Sequence, residues 1–365
     1  EFHIDGLRLD AVHAILDLSA VHFLEELAAS VHQYAEVLGR RVYVIAESDL
    51  NDPRLIKPRA AGGYGLDAQW SDDFHHALHA LLTGERSGYY QDFGAPRHLA
   101  RAFTNGYVYT GQYSTYRKRR HGNRTELCTP DQFVVFAQNH DQVGNRACGE
   151  RLAVLVSFSA LKLAAGVVLL SPFLPLLFMG EEYGETAPFQ YFTSHSDAAL
   201  AEAVRKGRRE EFAAFGWQNN VPDPQDEETF IRSRLRRDLL RLEQHKLLWE
   251  FYRNLIRLRR ESPALSNLDR DAMEVTVCER ERLLFVRRWH GDDEVWLAFS
   301  FNENPVTVTL PLPPGHWQKV VDSADEQWLG GGSMVPAELI SPGEVALTLS
   351  PSACVLLART KEVED

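Results

Sequence analysis

At 365 residues, with 44% hydrophobic and 25% charged side chains, the chain has ordinary globular composition and enough length for two domains. Its net charge of -12 works against nucleic acid and anionic membrane surfaces, whose binding draws on concentrated Lys and Arg, so a neutral or small polar substrate fits better. The four cysteines, Cys128, Cys148, Cys278 and Cys354, form no CxxC pair and no zinc-like spacing, which predicts isolated thiols in a reducing, cytoplasmic compartment.

Glu1-Phe2-His3-Ile4 runs straight into an apolar strand with no initiator Met or leader, so the chain reads as cut from something longer. Up to about residue 180, apolar strand-like runs alternate with amphipathic helices, the pattern of a parallel sheet with helical crossovers. Val21, Leu24, Leu27, Ala28, Val31 and Tyr34 recur at helical spacing, and Gly39 stops that helix before a strand over Val42 to Ala46. Leu66 to Trp70 reads as the next strand, and Ser71 with Asp72 and Asp73 caps a following helix.

The longest apolar stretch, Leu152 to Met179, is broken by Ser, Lys, Gly and Pro. It reads as a buried helix to about Ala165 followed by strands at Val167 to Leu170 and Leu174 to Met179, not as a membrane span. A polar, Pro-bearing loop is expected over 181–228, then a long helical region from about Phe230 to Arg260. The arginines there interleave with acids and leucines, which describes a solvated face better than a polyanion site. From about Leu268 the chain turns to short β-rich runs separated by Pro and Gly turns, predicting an all-β sandwich. The expected division is therefore 1–267 and 268–365.

Three acids, Asp10, Glu47 and Asp141, each stand where an apolar run gives way to a polar loop. In a barrel of parallel strands the carboxyl ends share one mouth, so the three can converge. Arg8 and Asp10 face the same side of a strand, and a neighbouring guanidinium keeps a carboxyl ionised, as a nucleophile requires. Glu47 follows an apolar strand whose desolvation favours the protonated form, as a general acid requires. A nucleophile and an acid about 5 to 5.5 Å apart define a retaining glycosidase. His140 and Asp141 would then hold sugar hydroxyls and stabilise the transition state. His75, His76 and His79 lie within one helical turn, but no further ligand pattern completes a zinc site, so substrate or helix-surface roles are expected and no metal or cofactor.

Together the segments Asp5 to His13, Ala46-Glu47-Ser48 and Asn139-His140-Asp141 resemble the signature regions of the alpha-amylase family, in the family's order. Leu255 to Leu265 resembles its last barrel helix, and the likeness extends over essentially the whole chain. The resemblance implies the second half of a (β/α)8 TIM barrel followed by a β-sandwich, with Asp10 as nucleophile, Glu47 as acid/base and Asp141 as transition-state stabiliser. Ile45 to Arg54, Gln69 to Ala77 and Gln138 to Arg146 are most similar to members that hydrolyse the α-1,4 bond next to the terminal trehalose of maltooligosyltrehalose. Arg8 should then hold Asp10, and His13 and His140 should contact hydroxyls. Asp49, Asn51, Asp72, His75 and Gln142 are the candidates for recognising trehalose, with Trp70, Tyr191, Phe192 and Trp217 as stacking aromatics. The family's amino-terminal β-domain and first barrel strands are absent from the sequence, so this chain alone is expected to be unstable and inactive, its partner being the missing N-terminal portion of the same protein. A glucan branching or debranching enzyme and a noncatalytic carbohydrate-binding relative are the competing readings.

Overall fold

The structure is a computed structural model that describes residues 4–213 and 221–360. Five short parallel strands, Gly6–Leu9, Tyr43–Ala46, Ala68–Trp70, Phe133–Val135 and Leu174–Pro175, form one sheet in which each strand pairs with its predecessor in the chain. That singly wound order, with helices in the crossovers, is the order of part of a (β/α)8 barrel. All carboxyl ends point the same way, and their loops are laced together: Glu47 N donates to Leu9 O at 2.9 Å, and Val12 N donates to Glu47 O at 3.1 Å.

The crossover helices start and stop where side chains satisfy their ends. Ser71 Oγ accepts from Phe74 N to open Asp72–Thr83, and Ser157 Oγ accepts from Ala160 N to open Phe158–Leu169. The helix Phe23–Val37 ends before Gly39, whose φ of 60° lies in the left-handed region. Two expectations need correction here. Val167 to Leu169 is the last turn of a helix, not a strand, because an apolar run buried on all sides has no periodicity to tell the two apart. The stretch expected as loop over 181–228 contains the helix Ala198–Ala213, and the helical region after it is broken at Ser233 before resuming as Glu243–Glu261.

The last third of the chain forms an antiparallel six-stranded sheet, ordered Glu338–Ser341, Gly315–Asp322, Cys354–Arg359, Asp293–Ser300, Leu283–His290 and Met273–Cys278, with a two-stranded sheet, Val306–Leu310 and Val345–Leu349. Glu338–Ser341 was not read from sequence; it is a four-residue edge strand exposing Glu338 and Ile340. Because side chains alternate along a strand, the large sheet feeds two cores. Leu283, Phe285, Trp296, Ala298, Val355 and Leu357 pack toward the small sheet. Leu284, Val286, Val295, Leu297, Phe299 and Leu356 join the core that includes the barrel helices.

Buried cations seal that junction. Arg288 donates to the carbonyls of Leu170 (3.0 Å), Ser171 (3.2 Å), Leu265 (3.1 Å) and Asn267 (2.6 Å). Lys162, buried on the barrel side, donates to Ser323 O and Trp328 O, and burial pushes its ammonium down to about 8. Gly166 sits where a Cβ would fall 2.4 Å from Cys354 Sγ, so only glycine permits this approach of helix to sheet.

The opposite flank is bare. Ile4, Leu7, Leu16, Leu18, Val21, Phe23, Tyr34, Val37 and Tyr43 are exposed from just before the first strand, through the loop after it and the first helix, to the start of the second strand. Leu242, Trp249 and Ile256, at heptad spacing, are exposed at and beyond the start of the helix Glu243–Glu261. No helix among the described residues is long and apolar enough to cross a membrane.

Candidate active site

Asp10 follows the first strand directly, Glu47 follows the second, and Asp141 stands in the first turn of the short helix His140–Gly144 beyond the fourth. Arg8, the third residue of the first strand, joins them. Its guanidinium bonds Asp10 Oδ1, and its Nη2 lies 3.8 Å from Glu47 Oε2 and 3.6 Å from Asp141 Oδ2. Three carboxylates remote in sequence therefore surround one cation. The guanidinium rests 4.5 Å from the ring centre of Trp70, and His140 meets the same ring edge-on.

The three acids differ in exposure. The Asp10 side chain is 78% exposed, Asp141 45% and Glu47 16%. Glu47 is also held hardest: Oε2 accepts from Ala11 N at 2.6 Å, and Ala11 takes the left-handed conformation, φ 41°, that turns its amide there. A freely approachable carboxylate beside a recessed, fixed one can divide a displacement into attack and proton transfer.

Of the other expected residues, His13 and His140 are exposed, with His140 Nε2 3.5 Å from Asp141 Oδ2. Gln142 Nε2 donates to Asp72 Oδ1 at 3.3 Å, and Tyr89 OH contacts Gln142 Oε1 at 3.5 Å. Burial, then the charges of Glu47, Asp49, Asp73 and Asp141, push the Asp72 carboxyl up to about 8, so it holds a proton at neutral pH beside the three acids. Asp49 is paired with Arg117 at 2.9 Å. Its carboxyl stays below the usual range: burial works against the charge, but Arg117 outweighs it.

Asn51 and His75 point inward. Asn51 is 2% exposed and donates to Asp73 Oδ2 and Tyr109 O, while His75 is 2% exposed and bonded to Ala137 O and Tyr90 OH. Both bond protein groups and brace the loops that carry them. His76 and His79 are likewise buried, not surface residues, and His79 bonds Glu85 at 2.9 Å. Trp70 is buried under Arg8 and offers no open platform; Tyr191 and Phe192 are exposed, and Trp217 lies outside the described residues. Among the described residues no group of His, Cys, Asp and Glu could hold a metal ion.

Sequence reading missed Arg117 and Tyr89. Arg117 lies in the tip of a small hairpin, Tyr113–Ser114 with Arg119–Arg120, anchored by Asp92 through Ser114 Oγ and the amides of Thr115 and Tyr116. The basic run Arg117-Lys118-Arg119-Arg120 in an acidic chain was the available signal.

A family model described as a domain of unknown function (DUF3459) matches residues 272–356. The malto-oligosyltrehalose trehalohydrolase of Arthrobacter ramosus is 50% identical over 86% of this chain and 52% of its own length. That of Rhizobium sp. is 46% identical over 85% of the chain and 52% of its own. A crystal structure of a Salmonella typhimurium protein assigned as an alpha amylase superposes with a TM-score of 0.82 at 36% identity, covering 98% of this chain and 57% of that one. The chain thus spans about half the length of the curated relatives it matches.

Proposed function

We propose that the chain belongs to the alpha-amylase family, in its malto-oligosyltrehalose trehalohydrolase branch, and that it is the carboxyl-terminal portion of a retaining glycoside hydrolase. The bond cut is the α-1,4 linkage next to the terminal trehalose of maltooligosyltrehalose and related α-glucans. Asp10 attacks the anomeric carbon, and its oxygen forms the new bond as the old glycosidic bond breaks. Glu47 gives its proton to the departing oxygen, so trehalose leaves as a neutral alcohol. Glu47 then takes a proton from water, which displaces Asp10 and frees the maltooligosyl chain. Asp141, with His140, stabilises the positive charge that develops on the ring, and Arg8 fixes the three acids relative to one another. Side chains alone serve these steps.

The observation that carries this reading is the single guanidinium of Arg8 within 4 Å of Asp10, Glu47 and Asp141. His13, Asp49, Asp72 and Gln142, with Arg117 and Tyr89 behind them, line the leaving-group side. We assign 1–267 to the catalytic barrel and 268–365 to the C-terminal sandwich. The bare edge at Gly6–Leu9 and the helix Phe23–Val37 is the seat of an upstream portion that supplies the remaining strands, as the greater length of the relatives supports. Four free thiols suit a cytoplasmic enzyme.

The deciding experiment is product analysis with the chain joined to its upstream portion. Free trehalose from maltooligosyltrehalose, lost in Asp10→Asn, supports the reading. Transfer of the glycosyl unit to α-1,6 branches, or normal turnover by Asp10→Asn, overturns it.

A further inference from the structure

Asp141 stands on a short helix, and its carboxylate meets Arg8 at 3.6 Å and His140 at 3.5 Å. Both distances are long for hydrogen bonds, so the carboxylate is placed by the backbone that carries it. That backbone is gripped at two ends by the helix Asp72–Thr83 and the turn after it.

At the entry, His75 Nδ1 donates to Ala137 O at 2.8 Å. A carbonyl oxygen can only accept, and burial holds the ring well below its ordinary pKa, so the single proton is on Nδ1 and Nε2 accepts from Tyr90 OH at 3.0 Å. Tyr90 in turn stacks on His79, ring centres 4.5 Å apart. At the exit, Glu85 takes both terminal nitrogens of Arg146, Oε1 at 2.8 Å and Oε2 at 2.9 Å, a two-point contact that fixes direction as well as distance. His79 Nε2 donates to the same Oε2 at 2.9 Å. Gly84, with a φ of 77°, reverses the chain so that Glu85 folds back onto His79. The Arg146 side chain is 10% exposed, so the pair is sheltered from water. Burial works against the Glu85 charge, but His79 and Arg146 outweigh it and hold the carboxyl down to about 2.

Between the two grips, Asn139 Oδ1 caps the helix by accepting from Gln142 N at 2.8 Å, and Asp141 follows two residues later. Arg208, from the helix Ala198–Ala213, adds bonds to Gly144 O at 2.9 Å and Asn145 Oδ1 at 3.3 Å. Loss of Glu85 should therefore loosen the segment without unfolding it.

We propose that Glu85 is a positioning residue: through Arg146, and with His75 at the other end, it clamps residues 137–146 and so sets where the Asp141 carboxylate meets the charge developing on the sugar ring. The step it serves rests on the proposed function; the clamp itself does not. A misplacement of about 1 Å in a group that acts on the transition state costs on the order of 100-fold in rate.

The test is a double-mutant cycle in the chain joined to its upstream portion, read as trehalose release. Glu85→Gln should lower kcat about 30-fold with KM kept within about threefold. In an Asp141→Asn background the same change should cost less than about twofold, because the group it positions is already gone. Arg146→Lys keeps the charge without the forked contact, and its kcat should fall between the parent and Glu85→Gln. Amide hydrogen exchange reads the clamp whatever the substrate: the amides of Val143 and Asn145, bonded to Asn139 O and Asp141 O, should exchange about tenfold faster in Glu85→Gln, while those of Leu163 and Val168 keep their rates. An equal kcat loss in both backgrounds, as general destabilisation gives, or unchanged exchange at Val143 and Asn145 overturns the proposal. A parent that releases no trehalose while exchange responds as expected sinks the proposed function and leaves the clamp standing; trehalose release with unresponsive exchange does the reverse.

Discussion

The helix Phe23–Val37 and the helix Phe158–Leu169 are both crossover helices of the same sheet, yet one leaves Phe23, Tyr34 and Val37 in water while the other has Leu163, Val167, Val168 and Leu169 at 1% exposure or less. Their sequences do not explain the contrast by propensity. The second helix is roofed by a β-sheet whose outer face it shares, and among the described residues no sheet roofs the first. Burial in this molecule is thus a property of what lies opposite, and a flank that ends in apolar side chains calls for a neighbour.

The sharpest way to break the comparison is to supply that neighbour. Residues 1–365 alone should release no trehalose, and joining the upstream portion should restore release; Glu47→Gln in the joined protein should then lower kcat about 100- to 10,000-fold with little change in KM. Turnover by residues 1–365 alone would mean that the bare flank is tolerated. On the sealed flank, Arg288→Met leaves the carbonyls of Leu170, Leu265 and Asn267 without the donor they now have, while Ser171 O keeps Arg259, and should cost about 3 kcal/mol or more, read from urea unfolding. On the bare flank, Val37→Gln should change the stability of residues 1–365 by no more than about 0.5 kcal/mol, but cost about 1.5 kcal/mol in the joined protein. Equal effects in the two settings would show that nothing covers Val37.

The last prediction concerns pH. The Asp72 carboxyl sits at about 8 in the folded chain against an ordinary 3.8, so the folded state holds a proton that the unfolded state has lost between those values. Stability contributed by this group is therefore lost as pH rises from about 4 to about 8. Asp72→Asn should flatten that slope, and urea midpoints at about pH 6 and about pH 9 should lie closer together than in the parent. An unchanged slope would show that Asp72 is ionised throughout.

Strand and helix order was legible because each element carries its own period and its own cap, as Ser71 and Ser157 do. That Asp10, Glu47 and Asp141 would gather around Arg8 was legible because each stands at the carboxyl end of a parallel strand. The short Glu338–Ser341 strand escaped because four residues with two exposed give too little alternation. The bracing contacts of Asn51 and His75 were not legible for a different reason: their partners on Tyr109 and Ala137 lie far along the chain, and polar residues near a site look alike in sequence. Arg117 was missed because its partner Asp49 lies 68 residues away.

Gly166 and Cys354 meet where neither can grow. Recombination between relatives that exchanged the sandwich alone would pair this helix with a foreign strand, and any bulkier residue there would lift the sheet off and pull Ser323 and Trp328 from Lys162. The two halves of the junction must therefore be inherited together, and a working chimera has to be cut before Phe158, not at the visible change from helix to strand.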